Sequence, residues 1–223
     1  MDGIRFKRKM LALACSAALF AGMSLAADAK PPQNKKEKKE HRAQAQKQDR
    51  KQYDQRLAKL QAKKRLAQYR YEQQYYERML QLHQRYEQAR AQGYQNDPFF
   101  NTAFDRRYQR ANAYYETNEY GIAHLQQATQ YGYAEGYQAG MADRQDHWGP
   151  GGWVASDAYR DANYGYNGLY VGQEDYNYYF REGFRRGYED GYNNRAQYGT
   201  VVNGNYTLLD RILAAILPFE MLR

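Results

Sequence analysis

The sequence predicts an all-α protein, in which a long basic N-terminal helix precedes a small helical body built on two glycine-stripe helices. Three observations predict this class. Residues 41–92 contain no glycine or proline and consist mainly of good helix formers. Two stretches of the body place glycine at every fourth position, each glycine followed by an aromatic residue or methionine. No stretch shows the alternation of apolar and polar residues that indicates a half-buried strand.

The first 29 residues have the three-part layout of a secretory signal peptide. A basic start (MDGIRFKRK) precedes an apolar stretch at 10–25 and small residues that allow cleavage after Ala26 or Ala29. The apolar stretch is short for a membrane span of ~20 residues, so we expect a mature chain without a transmembrane span, exported to the periplasm or cell envelope, or secreted. The single cysteine, Cys15, lies in this segment, which leaves the mature chain no thiol for disulfide or metal chemistry.

Residues 30–40 (KPPQNKKEKKE) combine two prolines with a dense run of charge, which predicts a disordered charged linker. Residues 30–70 hold fifteen Lys or Arg and four Asp or Glu, whereas residues 71–223 hold fourteen and nineteen. This asymmetry indicates a basic arm that binds an anionic envelope polymer or an envelope protein. Alternatively, the lysines only keep the segment soluble. The predicted polyanion contacts are Lys35, Lys36, Lys38, Lys39, Lys59, Lys63, Lys64 and Arg65.

Residues 41–92 are predicted to form one long basic helix. A stripe of mostly apolar side chains recurs at spacings of four and three residues, with one extra residue before Tyr75, which is typical of a helix that packs on another helix. The stripe permits a coiled coil, and with it a homo-oligomer, or packing on the body; a charged helix with a solvated N-terminal part is the alternative. It consists of Tyr53, Leu57, Leu60, Lys64, Ala67, Tyr71, Tyr75, Met79, Leu82, Tyr86 and Ala89.

The tyrosine- and glycine-rich body, residues 93–206, begins where Gly93, Asn96 and Pro98 end the long helix. After these residues we expect helices at 99–116 and 117–145, a loop at 146–153, and a short helix with a turn at 156–168. A last segment, 207–223, is predicted to be a C-terminal amphipathic helix, with Thr207 and Asp210 as its capping pair.

The stretch Phe180–Tyr192 (FREGFRRGYEDGY) sorts its residues by face when it is drawn as a helix of about 100° per residue. Glycines and rings share one face, and Arg185, Arg186, Glu189 and Asp190 occupy the other. Glycine costs roughly 1 kcal/mol relative to alanine inside a helix, so a strip of three implies that another helix approaches closely enough to offset the cost.

The same pattern occurs 51 residues earlier, which predicts two repeats, 118–145 and 169–196. Their glycine strips are expected to face each other; the alternative is that each helix docks separately on the long helix. The predicted helix-packing strip is Gly132, Gly136, Gly140, Gly183, Gly187 and Gly191, and the predicted aromatic face is Tyr133, Tyr137, Phe184, Tyr188 and Tyr192.

These repeats resemble a group of exported, tyrosine- and glycine-rich helical proteins of environmental Gram-negative bacteria. The resemblance is carried by GYAEGYQAGMADR, AYRDANYGYNG and YYFREGFRRGYEDGY, which follow that group's pattern of GYxxGxxDR, AYRDA and YRxGFxxGYxxGY. It covers roughly residues 118–195 and leaves out the basic helix and the C-terminal helix. It implies export and a paired-helix architecture, and it implies no activity.

The sequence contains no convincing catalytic or metal-ligating set. The four histidines are scattered, and Asp143, Asp146 and His147, the nearest approach to a metal cluster, are better explained as a charged helix end. Phosphate-loop, dinucleotide and serine-elbow motifs are absent. We therefore expect a protein that is not an enzyme and has no cofactor.

Tyrosine is the commonest aromatic residue: 24 of the 25 tyrosines lie between Tyr69 and Tyr206. Tyrosine suits a small core open to water, and it also suits a sugar- or protein-binding face. Together with the basic arm, this predicts a structural or interaction protein of the cell envelope, with no nucleic-acid partner. The alternatives are a carbohydrate- or ligand-binding module and a periplasmic chaperone-like helical protein.

Overall fold

The structure, a computed structural model, describes residues 35–93 and 96–222 of the chain. The described residues are mostly helical, with seven α-helices and two small antiparallel sheets. The chain divides into two compact units, Met1–Arg50 and Lys51–Arg223. The part of the first unit that is described is helical. The predicted signal peptide and the two prolines of the predicted linker lie outside the described residues.

The prediction of one long helix over 41–92 is wrong, because two helices cover this region. Helix α1 spans Lys35–Ala62 and helix α2 spans Leu66–Gln92. Residues 35–40, predicted to be disordered, form the start of α1. The ring of Tyr53 stacks on that of Tyr76, with centroids 4.0 Å apart, and Arg56 donates to Glu72. The end of α1 and the start of α2 therefore form an antiparallel hairpin.

The turn between α1 and α2 contains no glycine or proline. Lys64 adopts the left-handed conformation, with φ of 58°, in the position that glycine usually takes after a helix. The N–H of Lys64 donates to the carbonyl of Gln61 and the N–H of Arg65 to that of Leu60, both at 2.9 Å. These two bonds satisfy the last carbonyls of α1, so the helix ends without a glycine.

The predicted helix at 99–116 is also wrong. Helix α3 covers only Pro98–Asn101, and strands β1 (Arg106–Arg110) and β2 (Ala113–Thr117) form an antiparallel hairpin. Strand β5 (Phe219–Met221) pairs with the other edge of β1. Strands β3 (Gly199–Val202) and β4 (Asn205–Leu208) form a second, two-stranded sheet. The protein is therefore mostly helical rather than all-α.

The sequence did not predict β1 because its residues, RRYQR, show no clear alternation of apolar and polar types, and only the central Tyr108 is buried. Tyr108 is 3% exposed at the centre of β1, where its ring stacks on Tyr115 of β2. The neighbouring Arg107 points to the other face and pairs with Glu220 of β5. Because arginine and tyrosine each combine an apolar stem with a polar end, hydropathy does not distinguish the two faces.

The C-terminal helix is shorter than predicted. Helix α7 spans Asp210–Ile216, and Thr207, predicted to cap it, lies in β4. Leu209 occupies the N-cap position without a side-chain hydrogen bond to the helix. Ile216 and Leu217 are buried and anchor this segment to the core.

The centre of the second unit is a pair of long helices. Helix α4 spans Glu119–Gln145 and helix α6 spans Gln173–Asn193. A 3₁₀ helix (Gly152–Ala155) and helix α5 (Asp157–Asp161) lie in the segment that joins them. The core around this pair is aromatic, and its largest fully buried side chains include Tyr133, Tyr176, Tyr179, Phe180 and Phe184.

Candidate functional site

The six glycines of the predicted packing strip lie between α4 and α6. A Cβ atom added to any of them would lie well within 3.0 Å of a backbone carbonyl oxygen of the opposite helix. Successive glycines meet successive carbonyls in the same chain direction, so the two helices are parallel. The pairs are Gly132 with Phe180, Gly136 with Phe184, Gly140 with Tyr188, Gly183 with Thr129, Gly187 with Tyr133 and Gly191 with Tyr137.

The contact pattern repeats itself when the two helices are exchanged. Each glycine faces the carbonyl that lies three residues before the corresponding glycine of the other repeat. This relation gives the pair an approximate two-fold symmetry, as expected when two copies of one packing surface meet. The strips are scaffold rather than a ligand surface, because backbone of the partner helix already covers them.

The predicted aromatic face is largely interior. Tyr133, Tyr137, Phe184 and Tyr188 are buried, and Tyr192 is half-buried. The hydroxyl of Tyr133 donates to Asp190 at 2.9 Å, and that of Tyr188 donates to Asp143 at 2.7 Å. Burial raises the pKa of both phenols, and the bonds to the carboxylates raise it further. These rings therefore hold the core together and offer little area to a ligand.

Asp190 was predicted to lie on the charged face of α6, but its side chain is buried. It is 0% exposed, and its carboxylate accepts hydrogen bonds from Tyr133 and from the backbone N–H groups of Gln197 and Tyr198. Arg186, from the same predicted face, binds Glu182 one turn earlier in α6. A buried carboxylate with three donors fixes the turn that leads from α6 into β3.

The last turn of α1 and the turn that follows it, residues 59–65 (the basic turn), carry the described part of the predicted polyanion contact. Lys59, Lys63 and Lys64 are exposed. The ammonium of Lys63 lies 5.4 Å from the ring centroid of Trp148, which is itself 36% exposed. Lys35, Lys36, Lys38 and Lys39 belong to helix α1, and their side chains are outside the described residues.

Arg65 was predicted to be a polyanion contact, and the structure corrects this. Its side chain is 8% exposed, forms an ion pair with Asp143, and lies with its guanidinium 4.4 Å from the ring centroid of Trp148. Asp146 accepts the backbone N–H groups of Ala67 and Gln68, each at 2.8 Å, at the start of α2. The carboxylates once compared with a metal cluster therefore fasten the basic turn to the end of α4.

A cleft of about 260 Å³ opens between α2 and the segment that joins α5 to α6. The hydroxyl of Tyr86 donates to the carbonyl of Gly165 at 2.9 Å, which ties its two walls together. Burial raises the pKa of Tyr86 to about 12. Sequence reasoning missed this cleft, and its only signal was the density of Asn and Tyr in ANYGYNG. The lining residues are Met79, Leu82, His83, Tyr86, Asp161, Asn163, Gly165, Tyr166 and Gln173.

Neither a metal centre nor a membrane span is found among the residues that the structure describes. In 35–93 and 96–222, no group of three or more His, Cys, Asp or Glu side chains is arranged to hold a metal ion. Within the same ranges, no helix is both long and apolar enough to cross a bilayer. His124 is buried among the rings of Tyr166, Tyr170 and Tyr176, and burial lowers its pKa to about 4.

Comparison of the chain with protein-family models, with curated proteins and with solved structures gave no match.

Proposed function

We propose that this is an exported structural or interaction protein of the cell envelope that binds an anionic polymer through its basic arm. The observation that supports this most directly is a difference in ion pairing between the arginine and the lysine side chains. Several arginine side chains of the second unit are paired with carboxylates, whereas the lysines of the basic turn face solvent. The positive charge of these lysines is therefore not neutralised within the described part of the fold and can attract an anionic partner.

Five arginines of the second unit are bound to carboxylates. Arg56 pairs with Glu72, Arg78 with Glu135, Arg107 with Glu220, Arg110 with Asp175 and Arg186 with Glu182. Each of these pairs neutralises its own charge, so it contributes little to the attraction of a distant polyanion.

The exposed lysines of the basic turn differ from these arginines. Lys59, Lys63 and Lys64 are within ion-pair distance of no carboxylate in the part of the chain that the structure describes. Lysine carries a strongly hydrated point charge on a flexible stem, which suits contact with a polymer of irregular conformation. Their exposed ammonium groups would release the counterions of a polyanion on binding.

The turn that carries these lysines is held in place by contacts with the end of α4. Arg65, one residue beyond Lys64, is fixed by Asp143, and Asp146 caps the helix that follows. Because such a turn is already ordered, it loses less conformational entropy on binding than a free basic tail would. The arrangement supports an arm whose base presents charge in a defined direction.

The test is binding of the full chain to polygalacturonate and to lipopolysaccharide at 50 and 200 mM NaCl. Affinity should fall by about tenfold or more across this range, because the release of counterions drives the association. Replacing Lys59, Lys63 and Lys64 together with Gln should weaken binding at 50 mM by roughly three- to thirtyfold and flatten the salt dependence.

The matched control removes the same charge from exposed arginines elsewhere. Replacing Arg85, Arg185 and Arg211 with Gln lowers the net charge by an equal amount, away from the basic turn. This variant should keep its affinity within about twofold, since exposed charges farther than ~10 Å from a contact are screened. Equal losses in the two triple variants would mean that net charge alone governs binding and would refute the arm as a site. Binding that ignores salt would do the same.

A further inference from the structure

The cleft between α2 and the segment from α5 to α6 has two chemically different walls. The wall on α2 is largely apolar, with Met79 and Leu82 beside the ring of Tyr86. The opposite wall carries planar polar groups, the carboxylate of Asp161 and the amides of Asn163 and Gln173, next to the ring of Tyr166. A ligand that fits both walls needs an apolar face and a hydroxyl-bearing edge.

We propose that this cleft binds a neutral saccharide. A pyranose ring has the required two-sided chemistry, because its C–H groups form an apolar face that packs on aromatic rings and its hydroxyls both donate and accept hydrogen bonds. Amide and carboxylate side chains match this edge, since an amide offers a donor and an acceptor in one plane. Clefts with mainly apolar walls and a few convergent polar groups are the usual form of small-ligand sites.

The polar groups of the cleft are held in place before any ligand arrives. Asn163 donates to Asp161 at 2.7 Å, and Gln173 donates to Asn163 at 2.9 Å, which links three side chains in a row. The hydroxyl of Tyr166 donates to the carbonyl of Val171 at 3.2 Å. Side chains that are already ordered lose little entropy on binding, so a small ligand can gain measurable affinity from few contacts.

The charge of the cleft distinguishes its ligand from that of the basic arm. Among the described residues that line the cleft, Asp161 is the only acidic one, and none is Lys or Arg. A carboxylate facing the ligand disfavours phosphates, sulfates and uronic acids by like-charge repulsion. Binding of a neutral saccharide here should therefore be insensitive to salt, and it is independent of the polyanion binding proposed for the arm.

The experiment screens the full chain against an array of neutral glycans and titrates the hits by calorimetry at 50 and 500 mM NaCl. Maltotriose, cellotriose and tri-N-acetylchitotriose are the first soluble probes. We expect at least one neutral glycan to bind with an affinity that changes less than about twofold between the two salt concentrations. Failure to bind any neutral glycan on the array overturns the proposal, as does binding restricted to acidic glycans.

Variants locate the binding. Gln173 is exposed at the first residue of α6, so Gln173→Ala should leave the fold intact and weaken glycan binding by about tenfold through a lost hydrogen bond. Leu82→Arg places a long charged side chain in the cleft and should abolish binding. Gln81→Arg, an exposed neighbour outside the lining, is the matched control and should bind as wild type. Glycan binding unchanged in both Gln173→Ala and Leu82→Arg would show that the sugar lies elsewhere.

Discussion

Replacing Gly187 with alanine tests the close packing of α4 and α6. The added Cβ would lie 2.8 Å from the carbonyl carbon of Tyr133 and 2.9 Å from the nitrogen of Tyr137, with the carbonyl oxygen nearer still. Ordinary contact begins at 3.4 Å, so the helices must separate by about 0.6 Å or more. The obstructing atoms belong to the backbone, and no side chain can rotate away to relieve the overlap.

The size of the effect follows from this separation. Overpacking of a tight core costs about 1–3 kcal/mol, and a gap of 0.5–1 Å forfeits a quarter to a half of each dispersion contact along the interface. The better helix propensity of alanine returns up to about 1 kcal/mol. We expect a net loss of about 1–3 kcal/mol in the free energy of unfolding, or roughly 2–12 °C in Tm.

Gly149→Ala is the matched control, because its Cβ would meet nothing within 4 Å and the residue has no positive φ. It should change the free energy of unfolding by less than about 0.5 kcal/mol. Urea unfolding of the full chain, followed by circular dichroism, gives both values. A Gly187→Ala variant that is as stable as Gly149→Ala would refute the close approach of the two helices.

Three further predictions concern single side chains. Burial lowers the pKa of His124 from 6.5 to about 4, so the stability that comes with the neutral ring is fully present above about pH 6.5 and is lost as pH falls. The free energy of unfolding in urea should therefore be lower at pH 4.5 than at pH 7.5, and His124→Phe should remove up to about 2.5 kcal/mol of that difference. Burial, and then the neighbouring carboxylate of Glu72, raises the pKa of Asp157, so its contribution to stability has the opposite sign and is lost as pH rises above the ordinary carboxyl range. In thermal melts, Asp157→Asn should be more stable relative to wild type at pH 8 than at pH 4.5, and an equal gain in Tm at both pH values would contradict the raised pKa. Lys64 is a left-handed residue with a Cβ, so Lys64→Gly should raise the melting temperature through about 1 kcal/mol of relieved strain, whereas Lys63→Gly, in the same turn, should not.

The packing surfaces of α4 and α6 could be located from the sequence because glycine has a single structural use there. Spacing of four residues places Gly183, Gly187 and Gly191 on one helix face, and the repeat 51 residues earlier supplies a second such face. A helix accepts three glycines only where backbone approaches backbone. Local pattern and tertiary contact therefore carry the same information at these positions.

The basic turn shows where such reasoning ends. Every residue from His41 to Gln92 is compatible with a helix, so the sequence does not indicate that the helix breaks at Lys64. The left-handed backbone of Lys64 is strained, and no neighbouring residue in the sequence offsets that strain. The compensation comes from 78 and 79 residues away along the chain, where Asp143 holds Arg65 and Asp146 caps the start of α2. The strands are a similar case, since β1 pairs with β5 across 113 residues.

The sequence by itself determined the segregation of charge, the helical character of most of the chain and the two glycine strips, because composition and short-range periodicity control each of them. Only the tertiary structure decided that Asp190 and Arg65 are interior, that the end of α1 folds back on the start of α2, and that residues 79–86 and 161–173 enclose a cleft. The physical reason is that a buried charge is stable only beside its partner, and the identity of that partner depends on which distant segments the core brings together.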